Sequence, residues 1–343
     1  MTARSDGRPA TIFDVAAAAA VSQATVSRVV NGKSTVDAAI ARRVLDVVAE
    51  LGYRPSSSAR NLARGSTQTV AVVVPDLGNP MFQEVLRGVT HAAAAAGYRV
   101  LVADSEESAA GEPELVREAR RRCDAVVLVA PRMADDELRA VLPELAPVVL
   151  VNRSSAGVPD VAVDYAAAAL AAVDHLAALG HTRMAYLAGP PTSESNRRRL
   201  EGIRAALARH PRIAIEQIPC GAGLDEGAAA AGRIGAATAV VAFNDLVAFG
   251  LLSGLRDRGV DVPGQVSVVG FDDIAFAGYA SPALTTMAVP RSRLGASAWD
   301  ALVAEIGGGA PAEPVLFTPT LVVRASTAPA PDRSARREEE TIP

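Results

Sequence analysis

The chain has 343 residues, half of them apolar, and a formal net charge of −4. A chain of this length can bury more than one hydrophobic core, so two or three globular domains are expected. No apolar run approaches the ~20 residues that span a bilayer, and the N-terminus lacks the charged and then apolar pattern of an export signal. We therefore expect a cytoplasmic protein without a membrane segment.

Cysteine usage and charge distribution narrow the class further. Cys123 and Cys220 lie far apart without metal-ligand spacing, so we expect buried, reduced thiols rather than a disulfide or a metal site. Residues 1–68 hold nine Lys and Arg against five acidic residues, although the whole chain is acidic. This basic head favours a polyanion as its partner, although an ordinary solvated surface would show the same count.

Hydrophobic periodicity predicts two short helices at the start of the head. Thr11 can cap the first, at residues 12–19, in which four apolar side chains share one face. Ser22 can cap the second, at residues 23–30, whose valines point inward while its polar residues stay outside.

A third helix is predicted from about Asp37 to Leu51, followed by Gly52 in the position of a left-handed helix end. Its inward-facing residues are Ile40, Val44, Val47 and Leu51. Three short helices with a tight turn between the first two form a helix-turn-helix, which places its second helix in the major groove of DNA.

The rest of the chain alternates apolar strands with amphipathic helices that end at Gly97, Gly180 and Gly259. Continuous apolar strands separated by helices indicate parallel sheets covered on both faces. The pattern restarts near residue 164, so we expect two similar α/β lobes. The clearest strands are 69–75, 98–104, 124–130, 147–152, 183–189, 238–243 and 265–271.

Several motifs resemble the lactose and galactose repressor (LacI-GalR) family of bacterial transcription regulators. The head shows "TIFDVAAAAAVSQATVSRVVNG" and "LGYRPSSSARNLARG", and the body shows "VVVPDLGNPMF", "RRRLEGIRAAL", "AVVAFNDLVAFGLL" and "VSVVGFDDIAFAGYASPALTTM". The resemblance covers about residues 10–327. It implies a periplasmic-binding-protein-like (type I) body, in which the chain crosses between the lobes three times and a ligand binds between them. It also implies a transcriptional repressor whose affinity for operator DNA is switched by a small metabolite.

The pattern and the resemblance together divide the chain into four parts. These are a helix-turn-helix head at 1–54, a hinge at 55–67, an effector-binding and dimerisation body at 68–328, and a tail at 329–343. One lobe combines 68–163 with 292–320, and the other combines 164–291 with 321–328. The tail has prolines, mixed charge and no leucine heptads, which predicts disorder and a homodimer rather than a coiled-coil tetramer.

The resemblance implies that the second helix reads bases from Gln23, Ala24 and Arg28. An arginine can bond guanine O6 and N7 together, which discriminates by about 1–3 kcal/mol. Ser22 belongs to the polar set offered to the groove, and the residues suited to phosphate contacts are Thr11, Thr25, Ser27 and Asn31. The chain departs from the family where Ala20 replaces a turn glycine and where Ile40 replaces a threonine.

The hinge is short, polar and centred on Leu62. By resemblance it is a helix that orders on specific DNA, pairs with its copy and inserts Leu62 into the minor groove, with Ala59 beside it. Such a wedge costs a few kcal/mol of unstacking and produces a bent, better-contacted duplex. The alternative is a flexible linker with an incidental leucine.

The resemblance also assigns an effector cleft. Its residues are Phe82, Asn152, Arg199, Asn244, Asp245 and Asp272. A guanidinium and carboxylates that converge on a cleft can bind vicinal hydroxyls, carboxylates or amides, although each residue could instead be a structural ion pair or cap. The segment "PCGAGLDEG" has no aromatic residue, and Arg291 stands where some relatives have a ring. A sugar is therefore in doubt, and an anionic or small polar metabolite stays open.

Signatures of catalysis are absent from the sequence. "GAGLDEG" is neither a dinucleotide fingerprint nor a phosphate loop, the histidines have no ligand spacing, and there is no nucleophile elbow. We therefore expect no enzyme, no metal and no cofactor. The competing class is a solute-binding or sensory protein without a role on DNA, which would have no use for residues 10–65.

Overall fold

The computed structural model describes residues 10–30, 36–53, 66–309 and 312–331. The chain separates into two compact units, a head that ends at Thr67 and a body that begins at Gln68. Among the described residues, no helix is both long and apolar enough to span a bilayer.

The helices of the described part of the head are Ile12–Ala18 (α1), Gln23–Val30 (α2) and Ala38–Glu50 (α3). Thr11 and Asp14 cap α1 reciprocally, each side chain accepting the other residue's backbone N–H. The hydroxyl of Ser22 accepts the backbone N–H of Thr25 at 3.1 Å, and Asp37 caps α3. Each cap satisfies backbone donors that a helix start leaves unpaired. The predicted helices and the caps at Thr11 and Ser22 are confirmed.

The core of the head is formed by small apolar side chains from all these helices. Its buried members are Val15, Ala16, Ala19, Val26, Val29 and Val44. The predicted burial of Leu51 is wrong, because this residue follows the last turn of α3 and is 39% exposed, while Val48 and Tyr53 pack against the core. Ala20 has a φ of +50° in the tight turn, a conformation that costs a residue with a Cβ about 1–2 kcal/mol.

The body contains two sheets, of which the first is entirely parallel. In the described residues its strand order is β11-β5-β4-β3-β1-β2. The strands are Thr69–Val74 (β1), Arg99–Asp104 (β2), Ala125–Val129 (β3), Val148–Val151 (β4), Asp160–Val163 (β5) and Val315–Phe317 (β11). β1, β3 and β4 lie in the middle and are almost completely buried, as their continuous apolar runs predict.

The second sheet has the order β12-β10-β9-β8-β6-β7 in the described residues, and β12 is antiparallel to β10. Its strands are Arg183–Ala188 (β6), Ala214–Pro219 (β7), Ala239–Ala242 (β8), Ser267–Asp272 (β9), Thr285–Ala288 (β10) and Thr320–Val322 (β12). All seven strands predicted from the sequence are present, and the remaining strands of both sheets are short or lie near a sheet edge.

Helices cover both sheets. The helices of the body are Pro80–Ala95 (α4), Glu112–Arg122 (α5), Asp135–Leu145 (α6), Tyr165–Ala178 (α7), Glu194–Arg209 (α8), Leu224–Ala230 (α9), Asp245–Asp257 (α10) and Arg291–Ile306 (α11). Gly97, Gly180 and Gly259 follow helices with φ of +77°, +86° and +69°, which confirms the predicted helix ends.

The first lobe comprises the first sheet with α4, α5, α6 and α11, and the second lobe comprises the second sheet with α7 to α10. The described chain passes between the two sheets three times, after Val163, after Ala288 and after Phe317. The ordered body extends past the predicted end at residue 328, because the backbone N–H of Ala330 donates to the carbonyl of Leu179 at 2.8 Å.

Glycines bring the paired helices of each lobe into backbone contact. A methyl group on Gly88 of α4 would collide with the carbonyl of Ser292 on α11, and one on Gly295 would collide with the carbonyl of Val85. In the second lobe, a methyl group on Gly202 of α8 would collide with a carbonyl at the start of α7. These helix pairs are therefore packed without room for adjustment.

We predict that Gly295→Ala lowers the free energy of unfolding by about 1–3 kcal/mol, because the added methyl forces α4 and α11 apart. Urea unfolding followed by circular dichroism measures the change. Gly307→Ala, at the end of the same helix, is the control, since its methyl would lie 3.4 Å from the nearest carbonyl oxygen. Equal losses in both variants would contradict the tight packing.

Candidate functional site

A small cavity of about 20 Å³ lies between the two lobes of the body. It sits at the carboxyl ends of parallel strands, where sheets of this type bind ligands. The predicted effector residues that line it are Phe82, Asn152, Arg199, Asn244 and Asp272. The structure thus brings together five residues that are far apart in the sequence, from both lobes.

Arg199 is the central charge of this cavity. It comes from α8 and is only 2% exposed. The ring centroids of Tyr165, Phe243 and Phe271 lie 4.1, 4.6 and 4.4 Å from its guanidinium carbon. Among the described residues, its Nε and Nη1 have no hydrogen-bond partner. The rings stabilise the cation, but the two unsatisfied donors need acceptors that only a ligand or water can supply.

Asp272 ends β9 and presents a carboxyl group in the same cavity, 4% exposed. Burial raises the pKa of this carboxyl to about 7, against the opposing effects of Arg199 and Arg291. Its backbone φ is +106°, an unusual value for a residue with a side chain. Near neutral pH this group can either donate or accept a hydrogen bond.

Two of the asparagines that line the cavity, Asn152 and Asn244, also hold local structure. Asn152 follows β4; its amide group donates to the hydroxyl of Tyr165 at 3.3 Å, and its side-chain oxygen accepts the N–H of Val163 at 3.1 Å. Asn244 caps α10, accepting the N–H of Val247 at 2.8 Å and donating to the carbonyl of Ala222 at 2.9 Å. Their side chains are therefore fixed in place, and each keeps some hydrogen-bonding capacity for a ligand.

Asp245, the sixth predicted effector residue, does not line the cavity. Its fully buried carboxylate accepts the backbone N–H of Ile274 at 2.9 Å and the hydroxyl of Thr286 at 2.6 Å. Burial raises the pKa of this carboxyl well above its ordinary value, and the proximity of Asp272 adds to the effect. The geometry gives Asp245 a structural role and does not support direct ligand contact.

Sequence reasoning missed Glu107 and Arg132, which also line the cavity. Arg132, 2% exposed, donates from Nε and Nη2 to the two carboxylate oxygens of Glu107, at 2.5 and 2.8 Å. The buried carboxylate of Glu112 accepts the backbone N–H of Arg132 at 2.6 Å and fixes the loop after β3. The only sequence signal for this pair is the position of Arg132, two residues after the apolar strand predicted at 124–130.

The aromatic residues of the cavity were also missed in part. Phe82 was predicted, whereas Tyr165 starts α7 and Phe243 immediately precedes Asn244. The lack of a ring in "PCGAGLDEG" therefore does not leave the cavity without aromatic surfaces.

The predicted DNA-contact residues of the head lie on and beside α2. Gln23, Ala24 and Arg28 are exposed, while Val26 and Val29 anchor the helix to its neighbours. The remaining described candidates are Thr11, Ser22, Thr25 and Ser27; the hydroxyls of Ser22 and Thr25 lie 2.9 Å apart, and that of Thr11 donates to Asp14. The predicted contacts Asn31, Ala59 and Leu62 lie outside the described residues.

A helix-turn-helix unit followed by a two-lobed α/β body with a charged interlobe cavity defines a ligand-responsive DNA-binding regulator. Residues 11–56 match the family model described as bacterial regulatory proteins, lacI family, and residues 173–327 match the periplasmic binding protein-like domain. The chain belongs to the LacI family of bacterial regulatory proteins and is a transcriptional regulator. The predicted family and fold class are thereby confirmed.

Individual relatives agree with this assignment. The chain is 33% identical over 328 residues to the HTH-type transcriptional regulator GalR of Escherichia coli (strain K12), covering 92% of this chain and 95% of that protein. The crystal structure of the Lac repressor dimer bound to operator and the anti-inducer ONPF has a TM-score of 0.81 at 28% identity, covering 94% and 100% of the two chains. The complex of the transcriptional regulator CelR with cellobiose has a TM-score of 0.68 at 30% identity, covering 92% and 99%.

We predict that Asp272→Asn changes how stability depends on pH. Because burial raises the pKa of Asp272 from 3.8 to about 7, the folded state favours the protonated carboxyl, and its contribution to stability is lost as pH rises between these values. The variant, compared with wild type, should therefore gain about 2–4 kcal/mol between pH 4.5 and pH 8, since a tenfold change in proton affinity corresponds to ~1.4 kcal/mol.

Urea unfolding of both proteins at the two pH values measures this difference. Asp257→Asn, at the exposed end of α10, is the control for the loss of a carboxyl group outside the cavity. An unchanged pH dependence in Asp272→Asn would show that folding does not raise the pKa of this carboxyl.

Proposed function

We propose that this regulator is a cytoplasmic, homodimeric repressor whose affinity for operator DNA is controlled by a small, uncharged polyhydroxylated ligand of the sugar class. The single observation that carries the ligand class is the cavity around Arg199, in which two unsatisfied guanidinium donors lie beside aromatic rings and the carboxyl of Asp272. Vicinal hydroxyls can accept from the guanidinium and donate to the carboxyl, while a sugar ring can stack on an aromatic face.

Charge balance favours a neutral ligand over the anion left open by the sequence. The second guanidinium of the cavity, that of Arg132, is already neutralised by a bidentate ion pair with Glu107. The remaining cation, Arg199, shares the cavity with Asp272. Besides Arg199, an anion would therefore meet one compensated pair and one carboxyl group, whereas a polyol adds no charge to a buried site. The similarity to the CelR–cellobiose complex supports the same class.

In the head, we propose that Gln23, Ala24 and Arg28, which are exposed on α2, contact the bases. The neighbouring hydroxyls of Ser22, Thr25 and Ser27, with Thr11 at the start of α1, are proposed to contact phosphates. A pseudo-palindromic operator requires two heads related by a twofold axis, and the similar Lac repressor is a dimer on its operator. Asn31, Ala59 and Leu62 stay predictions of DNA contact.

The switch follows from the position of the cavity. Since its walls come from both lobes, a ligand binds one arrangement of the lobes better than another and shifts the equilibrium between them. A ~100-fold change in operator affinity corresponds to about 2.7 kcal/mol of coupling.

We predict that Arg28→Ala weakens binding to the cognate operator by about 1–3 kcal/mol and leaves binding to random DNA nearly unchanged, because base contacts carry specificity. Fluorescence anisotropy with both duplexes measures the effect. The same titration of wild-type protein at high concentration should saturate at two chains per operator. Equal losses on both duplexes would refute the base contact, and one chain per operator would refute the dimer.

We predict that Arg199→Met abolishes the effect of ligand on operator binding, because methionine preserves much of the apolar contact with the rings but removes the guanidinium donors. Anisotropy titrations with cellobiose and a panel of mono- and disaccharides and sugar phosphates test the response. The matched control is Arg198→Met, whose side chain is 50% exposed on the same helix. A wild-type response in Arg199→Met would exclude this cavity, and a response to sugar phosphates alone would replace the neutral ligand class by an anionic one.

A further inference from the structure

The turn that follows β9 has an unusual backbone conformation beside the cavity. Asp272 and Asp273 have φ of +106° and +52°, so two consecutive residues with side chains occupy the left-handed half of conformational space. Such a pair persists only where the surrounding contacts hold it. The contacts of this turn therefore decide where the carboxyl of Asp272 is presented.

Part of the support comes from the second lobe itself. Asp245 accepts the backbone N–H of Ile274 at 2.9 Å. Arg324 donates from Nη2 to the carboxylate of Asp273 at 2.6 Å. These contacts hold Asp273 and Ile274, but they do not involve the carbonyl of Asp272.

That carbonyl accepts a hydrogen bond from Nη1 of Arg291 at 2.6 Å. Arg291 is the first residue of α11, which packs on α4 and on β3, β4 and β5 of the first lobe. The neighbouring residues Ser292 and Gly295 are in backbone contact with α4, so the start of α11 moves with the first lobe. The bond from Arg291 therefore crosses between the lobes at the edge of the cavity.

We propose that Arg291 is a positioning residue of the effector site: it holds the strained turn that presents Asp272 to the ligand and ties this turn to the first lobe. The inference rests on the proposed function of the cavity as the effector site. It gives a physical role to Arg291, which in the sequence is noted only because some relatives have an aromatic ring at this position.

The test uses ligand-free, full-length protein and hydrogen exchange followed by mass spectrometry. The variants are Arg291→Met, Arg291→Lys and, as matched control, Arg293→Met. Arg293 lies on the same helix turn, and its guanidinium carbon is 5.3 Å from the ring centroid of Phe317 in the first lobe.

We expect the amides of residues 272–277, in the second lobe, to exchange at least tenfold faster in Arg291→Met. Arg291→Lys should restore exchange to within threefold of wild type, since one ammonium donor suffices for one carbonyl, and Arg293→Met should leave the segment unchanged. Unchanged exchange in Arg291→Met, equal acceleration throughout both lobes, or no rescue by lysine would each overturn the proposal.

No ligand is present in this experiment, so its outcome is independent of the ligand class. If the Arg199→Met test excludes the cavity while the exchange pattern appears as expected, the proposed function fails and the role of Arg291 in holding the turn stands. If the exchange pattern fails while Arg199→Met loses its response, only the role of Arg291 is overturned.

Discussion

The body depends on how a buried guanidinium is accommodated between two lobes. Arg199 is almost completely inaccessible, and two of its donors lack partners among the described residues. Cation–π contacts with the rings of Tyr165, Phe243 and Phe271 stabilise it by about 0.5–2 kcal/mol each, while each unsatisfied donor costs about 1–3 kcal/mol. A ligand that offers hydrogen-bond acceptors removes the cost of the unsatisfied donors and leaves the cation–π contacts intact. The buried guanidinium therefore favours closure of the lobes around a ligand.

The arrangement around Arg199 also explains why the site holds a second charge that does not pair with it. A direct ion pair with Asp272 would satisfy both groups and leave nothing for a ligand to complete. Instead the carboxyl is held at the end of β9 by a strained turn, and burial raises its pKa to about 7. In contrast, Arg132 and Glu107 are already paired with each other by two hydrogen bonds. Arg199 and Asp272 are therefore the charged groups of the cavity that stay available to a ligand.

Sequence reasoning predicted the framework well because the framework depends on local patterns. Continuous apolar runs predicted the central strands, and side-chain caps predicted the helix starts at Thr11 and Ser22, since both signals lie within a few residues of what they determine. Leu51 was misplaced because a periodic pattern does not reveal that the helix ends one residue earlier.

The site was harder to predict because its contacts are formed between distant segments. Asp245 and Asn244 are adjacent in the sequence, yet the side chain of Asp245 is bonded within the second lobe and Asn244 lines the cavity. The ring of Phe243 fits beside Arg199 because Gly189, the residue after β6, has no side chain that would collide with it. The family resemblance located motifs that meet at the cavity, but only the fold distinguishes the residue that lines the cavity from the one that supports it.

The packing of the lobes determines where movement can occur. Glycines place α4 against α11 and α7 against α8 so closely that an added methyl would meet a backbone carbonyl, and interiors packed to this density transmit displacement rather than absorb it. A ligand that draws the cavity walls together therefore cannot be accommodated by sliding helices within a lobe. We therefore propose that the change is confined to the connections after Val163, Ala288 and Phe317 and to contacts that cross between the lobes, such as the bond from Arg291. In the proposed switch, each lobe then moves as a rigid body, and binding at the cavity changes the orientation of one lobe relative to the other.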